Sequence, residues 1–158
     1  MKRASRRAMP VSAWMVAAVI LGQAGCMPAQ AALGGDVSSV QADRQHIKGQ
    51  LRVTAAAGYS VHEIRTPTNT IVREYVSPAG RVFAVSWRGP LLPDLRQTLG
   101  AYFAQYQAAA GAPHAGHRHL SIRQPDLIVH SNGHMRAFSG YAYVPALLPP
   151  SFSLADVK

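Results

Sequence analysis

The stretch that decides the fold covers residues 71–92 and reads IVREYVSPAGRVFAVSWRGPLL. Two runs of β-branched and aromatic residues flank a Ser-Pro-Ala-Gly segment, in which Pro78 suits the first central position of a type I turn and Gly80 the left-handed position after it. The pattern predicts a β-hairpin with a three-residue loop. That loop pairs Tyr75 with Phe83, Arg73 with Val85 and Ile71 with Trp87 on one face, and Val72, Glu74 and Val76 with Ser86, Ala84 and Val82 on the other. We expect the first, aromatic face to be the core.

Residues 59–65 alternate as a further strand before the hairpin. If the loop at 66–70 has five residues, Glu63 faces Arg73 and His62 faces Glu74 across the two strands. A loop shorter by one residue would place Glu63 opposite Glu74, and like charges directly opposite each other are destabilising. The charges therefore favour the first register and predict two cross-strand ion pairs.

Two helices are predicted, one before and one after these three strands in the sequence. The first covers residues 36–49, with Asp36 or Ser38 as its cap, and residues 54–58 join it to the sheet. The second opens at Asp94 and reaches about residue 109. Its large apolar side chains form a single stripe, which we expect to pack on the aromatic face of the hairpin: Leu95, Leu99, Tyr102, Phe103 and Tyr106.

Three more strands are predicted at residues 120–124, 127–131 and 134–144, with a turn at Pro125-Asp126 and a two-residue Asn-Gly turn at 132–133. The Asn-Gly turn places His130 and His134 on opposite faces of the sheet, where they cannot share a metal. The order of elements predicts an α+β fold. We expect an antiparallel sheet of about six strands with two helices packed on one face, an order that would also suit a duplicated αβββ unit.

The first 31 residues have the pattern of a cleaved signal peptide. Basic residues at positions 2–7 precede an apolar run that stops near residue 21, and Ala29-Gln30-Ala31 supplies a small-x-small cleavage site. A transmembrane helix would need roughly 18 or more uninterrupted apolar residues. The pattern predicts export to the periplasm or the medium, by a Sec-type or a twin-arginine route. The alternative to cleavage near Ala31 is that Cys26 is the acylated cysteine of an outer-membrane lipoprotein.

Removal of that segment leaves one domain at residues 32–150 and a C-terminal tail at 151–158. Four of the 16 Lys and Arg residues lie in the signal, so the remainder carries 12 basic and seven acidic side chains and no cysteine. The excess charge favours anionic partners, such as an anionic envelope polymer. No motif predicts specific nucleic-acid recognition, and a membrane is expected as a partner only if Cys26 is acylated.

Motifs for phosphate binding, nucleophilic catalysis and metal-dependent hydrolysis are missing from the sequence, which predicts no catalytic residue and no cofactor. A small hydrolase with His134 or His130 as its base is the alternative from another class. Three histidines in the loop after the second helix could in principle bind zinc or copper, but their Gly, Ala and Pro neighbours provide no rigid scaffold: His114, His117 and His119.

Three segments carry a resemblance to a known family: VREYVSPAGRVFAVSWRGP, PDLRQTLGAYF and SNGHMRAFSGYAYVP. With them, residues 32–150 resemble a family of small exported proteins of Gram-negative bacteria known only as a domain of unknown function. The resemblance implies envelope residence and brings no activity, cofactor or site residue. We therefore expect a non-enzymatic periplasmic or envelope binding or accessory module, whose partner would be an anionic polymer or another envelope protein. Its candidate binding residues are Arg88, Arg136 and His134.

Overall fold

The computed structural model describes residues 33–112 and 119–157. Its helices are α1 (Ser38–Ile47), α2 (Leu95–Leu99) and α3 (Phe103–Ala110), the last two joined by a 3-10 turn at Gly100–Tyr102. Its strands are β1 (Gln50–Ala56), β2 (Tyr59–Arg65), β3 (Ile71–Val76), β4 (Val82–Gly89), β5 (His119–Arg123), β6 (Ile128–His134) and β7 (Ala137–Tyr143). Two further 3-10 turns follow, at Pro145–Leu147 and Leu154–Asp156. None of the described helices is long and apolar enough to cross a membrane.

The strands form one antiparallel sheet in the order β1-β2-β3-β4-β7-β6-β5. The α+β class is confirmed, and the seventh strand is β1, which sequence reasoning had divided between the first helix and its connection. That helix ends at Lys48, which takes a left-handed φ of 52°. The chain then pairs at once with β2, from Gln50 opposite Arg65 to Ala56 opposite Tyr59.

The predicted second helix is interrupted in its middle. Gly100 has a φ of 49° and a ψ of −118°, which no residue inside an α-helix adopts, so α2 ends there and α3 begins three residues later. Asp94 caps α2 as predicted, since its side chain accepts from the backbone N–H groups of Arg96 and Gln97.

The hairpin of β3 and β4 forms where predicted, but most of the predicted register is wrong by one residue. Val76 opposes Val82 as expected, whereas Tyr75 opposes Ala84 and Val72 opposes Trp87. The cause is a β-bulge beside Tyr75, in which Phe83 is the additional residue on β4. A bulge reverses the alternation beyond it, so Trp87 and Val85 lie on the face opposite to Phe83.

The two faces of the sheet consequently have different cores. The helix face carries Val72, Val85 and Trp87, which belong to one hydrophobic cluster with Val40 of α1 and Leu99 of α2. The tail face carries a second cluster of Tyr75, Phe83 and Ala84, together with Val157 of the C-terminal tail (residues 151–157). The expectation that the second helix covers Tyr75 and Phe83 was therefore wrong, because the bulge turns those two rings towards the tail.

Phe152 fixes the tail on this face. Its ring makes edge-on contacts with the rings of Tyr59, Tyr75 and Phe83, at centroid distances of 5.4, 5.7 and 4.7 Å. The hydroxyl of Tyr75 donates to the backbone oxygen of Asp156 at 3.1 Å. The tail thus closes the aromatic half of the tail face. No described segment covers the other half, formed by β7, β6 and the later part of β4, although Val157 borders it. We call it the uncovered half.

The register predicted for β2 and β3 is confirmed: Glu63 opposes Arg73 and His62 opposes Glu74. Only the first pair is an ion pair, with 2.9 Å between Arg73 Nε and Glu63 Oε2. His62 instead shares a hydrogen bond with the hydroxyl of Ser60 at 3.1 Å.

The last hairpin turns at a different place from the one predicted. Strand β6 continues through Asn132 and Gly133, and the chain reverses at Met135-Arg136, where Arg136 has a φ of 60°. His130 and His134 are then four residues apart on one uninterrupted strand, so they share a face at about 13 Å separation along it. The prediction of opposite faces was wrong, although the distance still prevents them from sharing a metal.

We expect Phe152→Ala to lower the free energy of unfolding by about 2–3 kcal/mol, because it removes three aromatic contacts and opens the second cluster. Leu154→Ala is the matched control in the same tail, since Leu154 is 49% exposed and should cost less than about 0.5 kcal/mol. Urea denaturation of both variants measures the difference. Equal, small losses would show that the tail is not anchored by Phe152.

Candidate functional site

The uncovered half of the tail face contains a cavity of about 170 Å³. Its floor is one row of side chains that lie directly opposite one another on neighbouring strands. Arg73 of β3 opposes Ser86 of β4, Ser86 opposes Tyr141 of β7, and Tyr141 opposes His130 of β6. The sheet register thereby brings together residues that are up to 68 positions apart in the sequence.

A second row, nearer the end of the strands, extends the cavity. Arg88 opposes Ser139, and Ser139 opposes Asn132. Beyond it lies a larger cavity of about 510 Å³, which is lined by Arg88, Arg136 and Phe138. Arg88 and Ser139 line both cavities, which therefore form one continuous depression that we call the arginine groove.

The arginine groove is positively charged. None of the described residues that line its two cavities is acidic. Arg73 pairs with Glu63, whereas neither Arg88 nor Arg136 is within ion-pair distance of a described carboxylate. Both side chains are exposed, and guanidinium groups bind carboxylates and phosphates through paired hydrogen bonds. The structure therefore brings two of the three predicted binding residues, Arg88 and Arg136, to one groove.

His134, the third predicted residue, lies next to the groove and not in it. It lines a separate shallow depression with Gly133, Met135 and Phe138. Met135 is 97% exposed at the tip of the turn. Phe138 is the only described residue common to this depression and the arginine groove.

His130 is the histidine that occupies the groove. Its ring contacts the ring of Tyr141 in a tilted arrangement at a centroid distance of 5.0 Å, and Tyr141 in turn stacks on Tyr143 at 6.3 Å. Burial, assisted by the charge of Arg123, lowers the pKa of His130, so the imidazole is neutral near pH 7. The hydrolase alternative requires a hydrogen bond between one of these histidines and a serine or a carboxylate. Among the described residues, neither His130 nor His134 forms such a bond.

The proposed metal ligands can be placed only in part. His114 and His117 lie outside the described residues, as does Cys26, the candidate for acylation. His119 is on β5, where its ring nitrogen Nδ1 and the Asn132 side-chain oxygen are 2.5 Å apart. Within residues 33–112 and 119–157, no three His, Cys, Asp or Glu side chains are grouped as a metal site would require.

Sequence reasoning did not identify Ser86, Asn132, Ser139 and Tyr141 as groove residues. Ser86, Ser139 and Tyr141 lie on strands that were predicted, but in registers that placed them elsewhere, and Asn132 was predicted to lie in a turn. With the bulge included, strict alternation along β4 and β7 would have found Ser86, Arg88, Ser139 and Tyr141 on one face.

A family model described as "Protein of unknown function (DUF2844)" matches residues 29–157. The chain belongs to this family. The resemblance to a domain of unknown function is thereby confirmed, while the exported and Gram-negative character of the family stays a prediction. No curated protein and no solved structure matches the chain.

A second cluster of titratable groups is buried on the helix face. Asp43 of α1 and Glu74 of β3 are each 1% exposed, and their carboxyl groups are close enough to share a hydrogen bond. Gln97 donates to Asp43 Oδ1, whereas Glu74 Oε2 has no hydrogen-bond partner among the described residues. Burial and the neighbouring carboxyl raise the pKa of Glu74 well above its usual value, and burial raises the pKa of Asp43 to about 6. Two carboxyls can share a hydrogen bond only when one is protonated. Because both carboxyls are enclosed, the pair affects the stability of the fold and is not an accessible catalytic site.

The raised pKa values predict a pH dependence of stability. A carboxyl whose pKa is higher in the folded than in the unfolded chain contributes to the free energy of unfolding. For Asp43 this contribution is fully present below pH 3.8 and is lost as the pH rises through about 6. We expect the wild type to lose up to about 3 kcal/mol between about pH 4.5 and 7.5 relative to the variant Asp43→Asn/Glu74→Gln, whose amides do not titrate there.

Urea denaturation of both proteins at several pH values measures this difference. His62 faces Glu74, and burial lowers its pKa, so its contribution to stability changes with pH in the opposite direction. That contribution is common to both proteins, and the comparison with the variant therefore removes it. Parallel curves for the two proteins would contradict a protonated carboxyl pair.

Proposed function

We propose that this protein is exported and acts as a non-enzymatic binding module of the cell envelope, and that its arginine groove binds an anionic polymer. The convergence of Arg88 and Arg136 on a groove without a described acidic residue carries the proposal. The two arginines are 48 positions apart, one at the end of β4 and the other in the turn between β6 and β7. Only the folded sheet brings them to one cavity.

The surroundings of the two arginines suit a polymer with a repeated acidic group. The rings of Tyr141 and His130 lie 5.0 Å apart in the cavity that Arg88 also lines, and so present an aromatic surface beside this cation. Aromatic faces pack on sugar rings, and the exposed Asn132 and the half-buried Ser139 add amide and hydroxyl groups that can bond to sugar hydroxyls. A carboxylated polysaccharide would use all three kinds of contact.

The net charge of the chain supports the same class of ligand. With 12 basic and seven acidic residues after position 31, the protein attracts polyanions at long range. Long-range attraction is screened by salt, whereas contacts inside the groove are less affected. Binding that persists at physiological ionic strength would therefore come from the groove.

We expect Arg88→Ala and Arg136→Ala each to weaken binding of alginate, a carboxylated polysaccharide, by about tenfold, because each removes a charge-assisted contact. Arg44→Ala is the matched control, since Arg44 is an exposed arginine on α1 and its loss changes the net charge equally. Calorimetric titration at physiological ionic strength measures all three.

The proposal fails if Arg44→Ala weakens binding as much as the groove variants do, because the attraction would then depend on net charge alone. It also fails if the wild type neither binds alginate nor captures an acidic polymer or protein from envelope extract. A neutral polysaccharide such as dextran controls for sugar binding without charge.

Export has its own test. Signal cleavage after Ala31 predicts that the protein recovered from the periplasm begins at Ala32, which mass spectrometry of the intact chain would detect. A chain that begins at an acylated Cys26 would instead establish the lipoprotein alternative. Recovery of the uncleaved chain in the cytoplasm would contradict export.

A further inference from the structure

Strand β1 is an edge of the sheet that lacks the usual protection. It has seven residues, no proline and an unbroken register with β2, and six of its seven residues are exposed. Natural edge strands are commonly shortened, bulged, covered or given inward charges, because an open row of backbone N–H and C=O groups pairs readily with another strand. Within the part of the chain that the structure describes, β1 pairs only with β2.

The other edge shows the contrast. Strand β5 is two residues shorter than β1 and carries charged or titratable side chains at both ends, His119 and Arg123. It contacts α3, and its Leu120 and Ile122 pack with the main core. On β1, by comparison, Val53 is 55% exposed although it is in the middle of the strand. The two edges thus differ in how far they are protected.

The sequence of β1 is complementary to itself in the antiparallel sense. If two copies pair with Val53 opposite Val53, all seven residues of each strand are matched. Leu51 then lies opposite Ala55 on the helix face, which gives an uninterrupted apolar row across the junction. On the tail face, Arg52 lies opposite Thr54.

The charge of Arg52 does not oppose this pairing. Arg52 is the only charged residue of β1, so the register centred on Val53 places no two like charges directly opposite each other. Within its own sheet Arg52 faces Glu63 of β2, which offsets its charge. Registers centred on Arg52, by contrast, would place the two guanidinium groups face to face and are disfavoured.

We propose that β1 is the interface of a homodimer, in which two copies pair antiparallel about Val53 and join their sheets into one of twice the width. The dyad is perpendicular to the sheet, because directly opposed residues share a face. Both arginine grooves therefore lie on the same side of the joined sheet. One polymer chain could engage both grooves, which raises its apparent affinity without new contacts. The dimer itself does not depend on the proposed ligand.

Residue 53 faces its own copy in this arrangement, so a single charge tests it. We expect the full-length wild type to be dimeric by light scattering coupled to size exclusion. Val53→Lys and Val53→Glu should each weaken the dimer at least about tenfold, since each places two like charges opposite each other. An equimolar mixture of the two variants should form a heterodimer close to wild-type affinity, because lysine then faces glutamate.

The mixture separates this proposal from simple damage to the strand, which mixing would not repair. Ser121→Lys is the matched control, as an exposed position on the opposite edge strand, and should leave the dimer unchanged. Thermal melting of each variant checks that it is folded, and the exposure of Val53 makes the substitutions tolerable. A monomeric wild type, a dimer unaffected by charge at residue 53, or variants that remain monomers when mixed would each overturn the proposal.

Discussion

The structure depends on the bulge at Phe83. An extra residue on β4 beside Tyr75 places Phe83 and Ala84 on the same face, so the strand contributes large side chains to both sides of the sheet. Val85 and Trp87 then belong to the cluster with the helices, while Phe83 belongs to the cluster with the tail. Without the bulge, Tyr75 would oppose Phe83 instead of Ala84, Trp87 would lie on the same face as Phe83, and the helices would lose their contact with Trp87.

The same constraint decides where a ligand can bind. Because Tyr75 and Phe83 face the tail, Phe152 and Val157 close one half of that face. Ser86 and Arg88, which follow the bulge on β4, then lie on the uncovered half. Ser86 is in the row of Tyr141 and His130, and Arg88 is in the row of Ser139 and Asn132. A single inserted residue therefore separates a closed aromatic cluster from an open basic groove.

Local chemistry predicted the parts of the fold that it controls. The strand bounds of β2 and its register with β3 followed from alternation and from the charges of Glu63 and Arg73, which are close enough to interact. The bulge could not be predicted, because Pro78 and Gly80 fix the turn but do not determine whether the strand beyond it is regular. Strand β1 was missed although Leu51, Val53 and Ala55 alternate with polar residues, because the residues on either side of it were assigned to the first helix and to a connection.

The turn between β6 and β7 shows tertiary contacts overriding a strong local signal. Asn132-Gly133 is a favoured hairpin sequence, yet β7 must also pair with β4. Gly140 faces Trp87 there, and a Cβ at residue 140 would lie 2.4 Å from the indole and 2.5 Å from the backbone oxygen of His130. Only glycine fits between them, so this contact fixes β7 on both sides and moves the turn to Arg136. The groove depended on that register, which explains why Arg88 and Arg136 were chosen separately from the sequence but not as one site.

We propose that the arginine groove binds an anionic polymer. Nuclear magnetic resonance of the ¹⁵N-labelled protein, titrated with an alginate trisaccharide, tests it most directly because it locates the contact. We predict that the amide shifts concentrate at Arg88, Arg136, Ser139 and His130 and saturate with one affinity. Shifts spread over α1 and the other exposed arginines, or none in the groove, would contradict the account.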